Sequence, residues 1–143
     1  MYMRSLITFV LVALCAMSAL AAPPPPQATD ILQVTIPKTG AIYKVGDYIP
    51  VHVKLVNGTS SEIYKKNPKI RLTIQKAVRL PLLNVRLGEV RARTLAKDGF
   101  KFLAKKEYLI KEQPTAKFRV RASFDTPRGG YVDSGRFDIK PKK

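Results

Sequence analysis

Apolar and polar residues alternate along most of this chain, and the alternation is clearest near its C-terminal end. Phe118-Arg-Val-Arg-Ala-Ser-Phe124 places Phe118, Val120, Ala122 and Phe124 on one side and Arg119, Arg121 and Ser123 on the other. After Thr126-Pro-Arg-Gly-Gly130 the pattern returns in Tyr131-Val-Asp-Ser-Gly-Arg-Phe-Asp-Ile139, with Phe137 and Ile139 apolar and Arg136 and Asp138 polar. A period of two on both sides of a Pro/Gly cluster predicts a half-buried β-hairpin with one core face and one mostly cationic face.

Earlier segments follow the same rule. Leu32, Val34 and Ile36 alternate with Gln33 and Thr35 up to Pro37, and Lys38-Thr39-Gly40 predicts a turn. Ala41 to Val45 leads to a second turn at Gly46-Asp47. Ile49, Val51, Val53 and Leu55 then form an inward set, with Pro50 marking an unpaired edge position at the start of that strand and Asn57-Gly58 a turn at its end. Ile70, Leu72 and Ile74 face inward opposite Arg71, Thr73 and Gln75. Pro81 interrupts the pattern; Leu83, Val85 and Leu87 resume it, and Val90 and Ala92 continue it beside Arg91 and Arg93. Phe100 and Phe102 predict a short strand after Asp98-Gly99, and Tyr108 to Ile110 another before Pro114. No helical period is sustained; Lys97 to Tyr108 has room for one helical turn. Many short strands with turn signals about every ten residues predict an all-β domain, a sandwich or barrel, and an immunoglobulin-like β-sandwich suits this length.

The first 21 residues change the picture from a cytosolic domain to an exported one. Arg4, the apolar run Leu6 to Ala16 and the small residues Ala19 and Ala21 make a secretory signal, with cleavage expected after Ala21. A retained anchor is the alternative, but the run is shorter than the ~20 apolar residues a spanning helix needs. Residues 22–30, with Pro23 to Pro26, read as a polyproline spacer, a semi-rigid stalk in preference to an SH3-type ligand. The domain then occupies 31–143. Cys15 is the one cysteine and leaves with the signal, so the domain is expected to hold without a disulfide. There is no tryptophan, so neither of the usual internal pins of an immunoglobulin domain is available. No apolar stretch follows Ile139, which predicts neither a GPI signal nor a transmembrane anchor after cleavage.

Two segments resemble a known family. Ile36-Pro-Lys-Thr-Gly-Ala-Ile-Tyr-Lys-Val-Gly-Asp47 is similar to the opening of the N-terminal Ig-like domain of fungal cell-wall glucan-synthesis proteins of the killer-toxin-resistance type. The same domain occurs in Ser/Thr-rich GPI-anchored fungal surface proteins. Phe118-Arg-Val-Arg-Ala122 followed by Tyr131 to Ile139 resembles the ending of that domain. Tyr43 stands where the family often has tryptophan, and no Ser/Thr-rich tail follows. The resemblance implies a wall- or surface-associated fungal domain without catalytic residues.

The chemistry-bearing residues are few. His52 is the only histidine, and without thiols it cannot complete a zinc site of about four ligands, so no metal or cofactor is expected. A mature terminus at Ala22 also excludes a copper site built on an N-terminal histidine. Asp125 and Asp133 could be paired carboxylates across the last turn, though aspartates in turns more commonly bond nearby backbone. Asp133-Ser134-Gly135 lacks a neighbouring histidine and is read as a turn. A non-enzymatic protein is expected. Asn57-Gly58-Thr59 satisfies the N-glycosylation rule, and Asn57 is the candidate acceptor.

Charge carries the strongest hint. The chain has 26 Lys and Arg against 10 Asp and Glu; losing Arg4 with the signal leaves a net of +15. Solubility needs a magnitude of only ~2–8 in a small domain, so the excess predicts attraction to polyanions, an anionic cell-wall polysaccharide first among them. Sequence-specific nucleic-acid binding is not expected, because no recognition motif is present. The alternative is a secreted cationic effector or antimicrobial acting on anionic membranes, although no amphipathic basic helix is visible. In an immunoglobulin-like sandwich the third, sixth and seventh strands share a sheet. If 70–74, 118–124 and 135–139 are those strands, Arg71, Arg119, Arg121, Arg136 and Lys140 point outward together, opposed only by Asp138. N-terminal sequencing of the protein secreted from its host is expected to begin at Ala22; a start at Met1 would show that the leader is retained.

Overall fold

The computed structural model describes residues 27–76, 83–109 and 116–142. The expected leader, the prolines of the spacer, Pro81 and Pro114 lie outside them. Nine strands dominate the described residues: β1 (Leu32–Ile36), β2 (Ile42–Lys44), β3 (Tyr48–Leu55), β4 (Lys69–Lys76), β5 (Asn84–Arg91), β6 (Phe100–Leu103), β7 (Phe118–Phe124), β8 (Gly130–Asp133) and β9 (Asp138–Lys140). Two short helices interrupt them, α1 (Glu62–Lys66) and α2 (Ala92–Asp98). The domain is all-β in character. Strands β1-β3-β6 form one antiparallel sheet and β5-β4-β7-β8 another, while β2 and β9 pair in parallel.

The alternation sets the core as expected. Ile49, Val51, Val53 and Leu55 of β3, Ile70, Leu72 and Ile74 of β4, and Phe118, Val120, Ala122 and Phe124 of β7 are all buried in one hydrophobic cluster. The C-terminal arm closes it. Phe118 and Phe137 exchange two backbone hydrogen bonds (2.8 and 3.0 Å), and their rings stack at 6.1 Å. Tyr43 of β2 meets Phe137 edge-on at 5.8 Å. One aromatic group thus joins β2, β7 and the approach to β9. Between β8 and β9 the chain leaves the ladder at Ser134, whose hydroxyl accepts from the Val120 N–H (2.9 Å) and donates to the Gly135 carbonyl. Gly135 cannot carry a side chain, since a Cβ there would lie 2.4 Å from the Thr39 backbone nitrogen. Asp133-Ser134-Gly135 is therefore a structural crossing from one strand to the next.

Several expectations need correction. Ala92 does not extend a strand: it begins α2, burying Ala92 and Leu95 on one face. The Asn67 side chain accepts from the Arg93 N–H (2.9 Å) and the Pro68 carbonyl from that of Ala92, so free donors at the start of the helix are met from outside it. The helix ends at Asp98, at the Asp98-Gly99 turn, and thus overlaps the start of the Lys97 to Tyr108 stretch that had room for one helical turn. Helix α1 was not foreseen, although Ser61 caps it by accepting from Tyr64 N–H (3.2 Å), and Lys65 and Lys66 suit its C-terminal end. Five residues are too few to show a period. Lys106–Tyr108 is a 3-10 turn instead of the start of a strand. Val85 stands opposite Ile74 on the edge strand β5 but, unlike its expected inward place, is 38% exposed. Pro50, the third residue of β3, stands at an unpaired edge position as expected. Since β1 pairs only with His52–Leu55 and β6 only with Tyr48–Val51, the strand has a neighbour on just one side at Pro50. The folded body also reaches back into the spacer: Ala28 is buried and its N–H donates to Tyr131 O (2.9 Å).

Truncating Phe118 to Ala is expected to cost ~3–5 kcal/mol of the ~5–15 available to such a domain, measured by urea unfolding. An unchanged midpoint would mean that the aromatic group does not hold the C-terminal arm.

Candidate functional site

The outward face of the four-stranded sheet holds three of the five cations singled out from the sequence. Register places Arg71 opposite Ser123, Thr73 opposite Arg121, and Gln75 opposite Arg119, with Asp133 beside Arg121 on the next strand. Arg121 grips Asp133 with two hydrogen bonds (2.8 and 3.1 Å) and stacks on Tyr131 at 4.0 Å. Arg119 approaches the same carboxylate at 3.7 Å and donates to Gln75 Oε1 (3.0 Å), whose amide reaches Asn84 (3.3 Å). A polar chain thus crosses all four strands. Arg71 pairs in the same bidentate manner with Asp125 (2.9 and 3.2 Å). The hydrogen bonds that Arg71 and Arg121 donate to Asp125 and Asp133 push these guanidiniums further up, and Arg71 in turn holds the exposed Asp125 carboxyl below its ordinary range.

This changes the expected picture of that face. Asp125 and Asp133 oppose the arginines as well as Asp138, and the Arg119 and Arg121 side chains are only 18% and 25% exposed. These two arginines, gripped from within, act as cross-strand ties. Asp125 and Asp133 are each engaged by arginine, so neither is offered as half of a catalytic carboxylate pair.

The other two cations lie elsewhere. Lys140 is on β9, directly beside Lys44 of β2 in the parallel register. Lys140 and Lys117 both reach Asp138 Oδ2 (2.9 and 3.0 Å). Arg136 stands just before Phe137 on the rim of a cleft of about 240 Å³ that also touches Gly40, Ile42, Lys117 and Asp138. Among the described residues, neither Lys44 nor Arg136 has an ion-pair partner. Lys44, Lys117, Arg136 and Lys140 thus bring four positive charges to this edge, where Asp138 meets two of them and the Asp47 carboxylate accepts from the Lys44 backbone N–H (2.9 Å). Side-by-side like charges cost stability, so Lys44 next to Lys140 is placed where an external anion would relieve the repulsion. Reading the sequence missed Lys44 and Lys117, because parallel pairing of β2 with β9 joins segments almost a hundred residues apart. A second like-charged pair, Lys69 opposite Arg91, lies at the far end of the other sheet, near α1.

Asn57 is exposed, in a left-handed backbone conformation (φ 66°), on the rim of a pocket of about 450 Å³ bounded by the Asp30–Arg128 ion pair. Its side chain makes no capping bond. His52 is exposed and lies against Gly99, where a Cβ would come within 2.8 Å of its ring. No cluster of three potential metal ligands occurs among the described residues. No helix among them is long and apolar enough to cross a membrane.

Asp138 gives the basic edge a pH signature. Burial alone would raise its carboxyl, but hydrogen bonds from Lys140 and Lys117 outweigh burial and hold it below the usual value. A carboxyl lowered on folding stabilises above its unfolded pKa of ~3.9, and that stabilisation disappears as pH falls through the folded value. Asp138→Asn is therefore expected to be less stable than the parent at pH 7. The gap in urea midpoints should close as the pH is taken from 5 towards 2; a gap independent of pH would remove the ion pairs from the account.

Comparison with family models, with curated proteins and with solved structures finds no match.

Proposed function

We propose that this is a secreted, strongly basic, non-enzymatic domain that binds anionic polysaccharide, or another polyanion, at a fungal cell wall or surface. One observation carries the reading. Among the described residues six carboxylates are already taken by eight basic side chains, Lys140 among them, and the surplus cations include Lys44, directly beside Lys140, and Arg136. A polyanion is the partner such an edge suits, through attraction that salt weakens.

An immunoglobulin-like arrangement belongs to the same proposal. The order β1-β3-β6 corresponds to strands A, B and E of such a domain, and β5-β4-β7-β8 to C′, C, F and G. β9 follows β8 in the same arm, and β2 pairs with it in parallel. The similarity of residues 36–47 and 118–139 to the fungal Ig-like domain supports the wall association. The glycosylation reading of Asn57 rests on the secretory route.

The test is salt elution from immobilised polygalacturonate and from immobilised polyphosphate. Lys44→Gln with Lys140→Gln is expected to elute at clearly lower salt from both. Arg119→Ser with Arg121→Ser, which cuts internal ties, should move elution much less while lowering stability. If the lysine pair can be removed without effect, while Lys65 and Lys66 or Lys105 and Lys106 prove necessary, the edge is not the site.

A further inference from the structure

The outward face of the β1-β3-β6 sheet has a composition that charge alone does not explain. Tyr48 and Leu103 are 63% and 39% exposed, two of only four large apolar side chains left open among the described residues. They are direct cross-strand partners on β3 and β6, which brings their Cβ atoms to about 5 Å. Pro50 and Lys101 are the next pair along, and the Lys101 ammonium lies 5.3 Å from the centre of the Tyr48 ring. Outward positions of these three strands carry His52, Lys54 and Lys101 and no carboxylate.

The platform is joined to the basic edge by backbone bonds. The Gly46 N–H donates to Ala104 O (2.9 Å), the Ala104 N–H to Asp47 O (2.8 Å), and the Val45 N–H to Lys140 O (2.9 Å). One turn therefore ties the start of β3, the end of β6 and the end of β9. Lys44 and Lys140 lie on one side of it, and Tyr48 with Leu103 and Lys101 on the other.

We infer that Tyr48 and Leu103 form a stacking subsite for a pyranose ring of an acidic polysaccharide, with Lys101, Lys44 and Lys140 meeting its carboxylates. The inference rests on the polyanion reading and narrows it to a sugar polymer. A pyranose has one face of C–H groups, which is apolar and matches the electron-rich face of an aromatic ring. Tyrosine provides that surface with little conformational freedom to lose. Two side chains suit a single sugar ring. They are far smaller than a stable protein interface, which buries about 1,200–2,000 Å². The lysines around them favour an anionic sugar over a neutral one; the carboxylate of the connecting turn, Asp47, accepts from the Lys44 backbone N–H (2.9 Å).

The test compares two polyanions, one with pyranose rings and one without. Binding of oligogalacturonate and of polyphosphate to the secreted protein is measured by calorimetry for the parent, Tyr48→Ala and Tyr48→Phe. Tyr48→Phe is expected to melt with the parent, and Tyr48→Ala, which loses an exposed cross-strand pair, only a little earlier and still cooperatively. Tyr48→Ala should weaken oligogalacturonate binding about tenfold and leave polyphosphate binding unchanged, and Tyr48→Phe should retain both. Parental oligogalacturonate binding by Tyr48→Ala, or an equal loss for both ligands, would overturn the stacking subsite while leaving polyanion binding in place. A parent that binds neither ligand would sink both readings. Phosphatidylserine vesicles form a third arm. Vesicle binding lost in Tyr48→Ala, with oligogalacturonate binding unaffected, would assign the platform to a lipid surface and overturn the inference.

Discussion

The contact between Phe118 and Phe137 is the constraint on which the rest of this structure depends. Its paired backbone bonds are the point where the last arm of the chain returns to β7 after leaving the ladder at Ser134. Its rings, joined by Tyr43, then fix where β9 must run and bring β2 alongside. A domain without disulfide or tryptophan needs such a group, because packing alone must hold the sheets together. The same contact sets the surface chemistry. By fixing β9 in parallel register with β2, it places Lys140 beside Lys44 and Asp138 within reach of Lys117.

Charge is distributed by a simple physical rule. Where a cation lies on the sheet next to a carboxylate on a neighbouring strand, as Arg121 does beside Asp133, the pair closes on itself and stiffens the sheet. Where the directly opposed residue is another cation, as Lys140 is to Lys44, the ammonium has no ion-pair partner among the described residues. A net charge says how much positive surplus a protein has. Only strand pairing says where the surplus sits. Two positively charged faces that look alike in sequence can therefore have opposite roles, one holding the fold and the other presented to solvent.

Much of the architecture was legible before any coordinates. Period-two alternation identified β1, β3, β4, β7 and the inward residues on each, because burying one face of a strand forces alternate positions to be apolar. Turn chemistry at Gly40, Gly46 and Asn57-Gly58 was legible as well, since these positions adopt positive φ, which glycine and asparagine tolerate best. The short helices were not. Ala92 and Leu95 are a single i,i+3 pair, and one such pair cannot be told from the end of a strand. Helix α2 depends instead on Asn67, which reaches its first turn from a distant loop.

Sequence by itself determined the all-β character, the identity of most core residues, the large positive charge and the candidate acceptor Asn57. Each follows from composition or from local periodicity, which need no knowledge of neighbours. Tertiary structure decided which cations are spent and which are free, because Arg71, Arg119 and Arg121 meet Asp125 and Asp133 only across strands. It also decided that Tyr48 and Leu103 stand together, although 54 residues separate them and neither is remarkable alone. Such juxtapositions are set by strand register, a property of pairs of segments that no single stretch of chain contains.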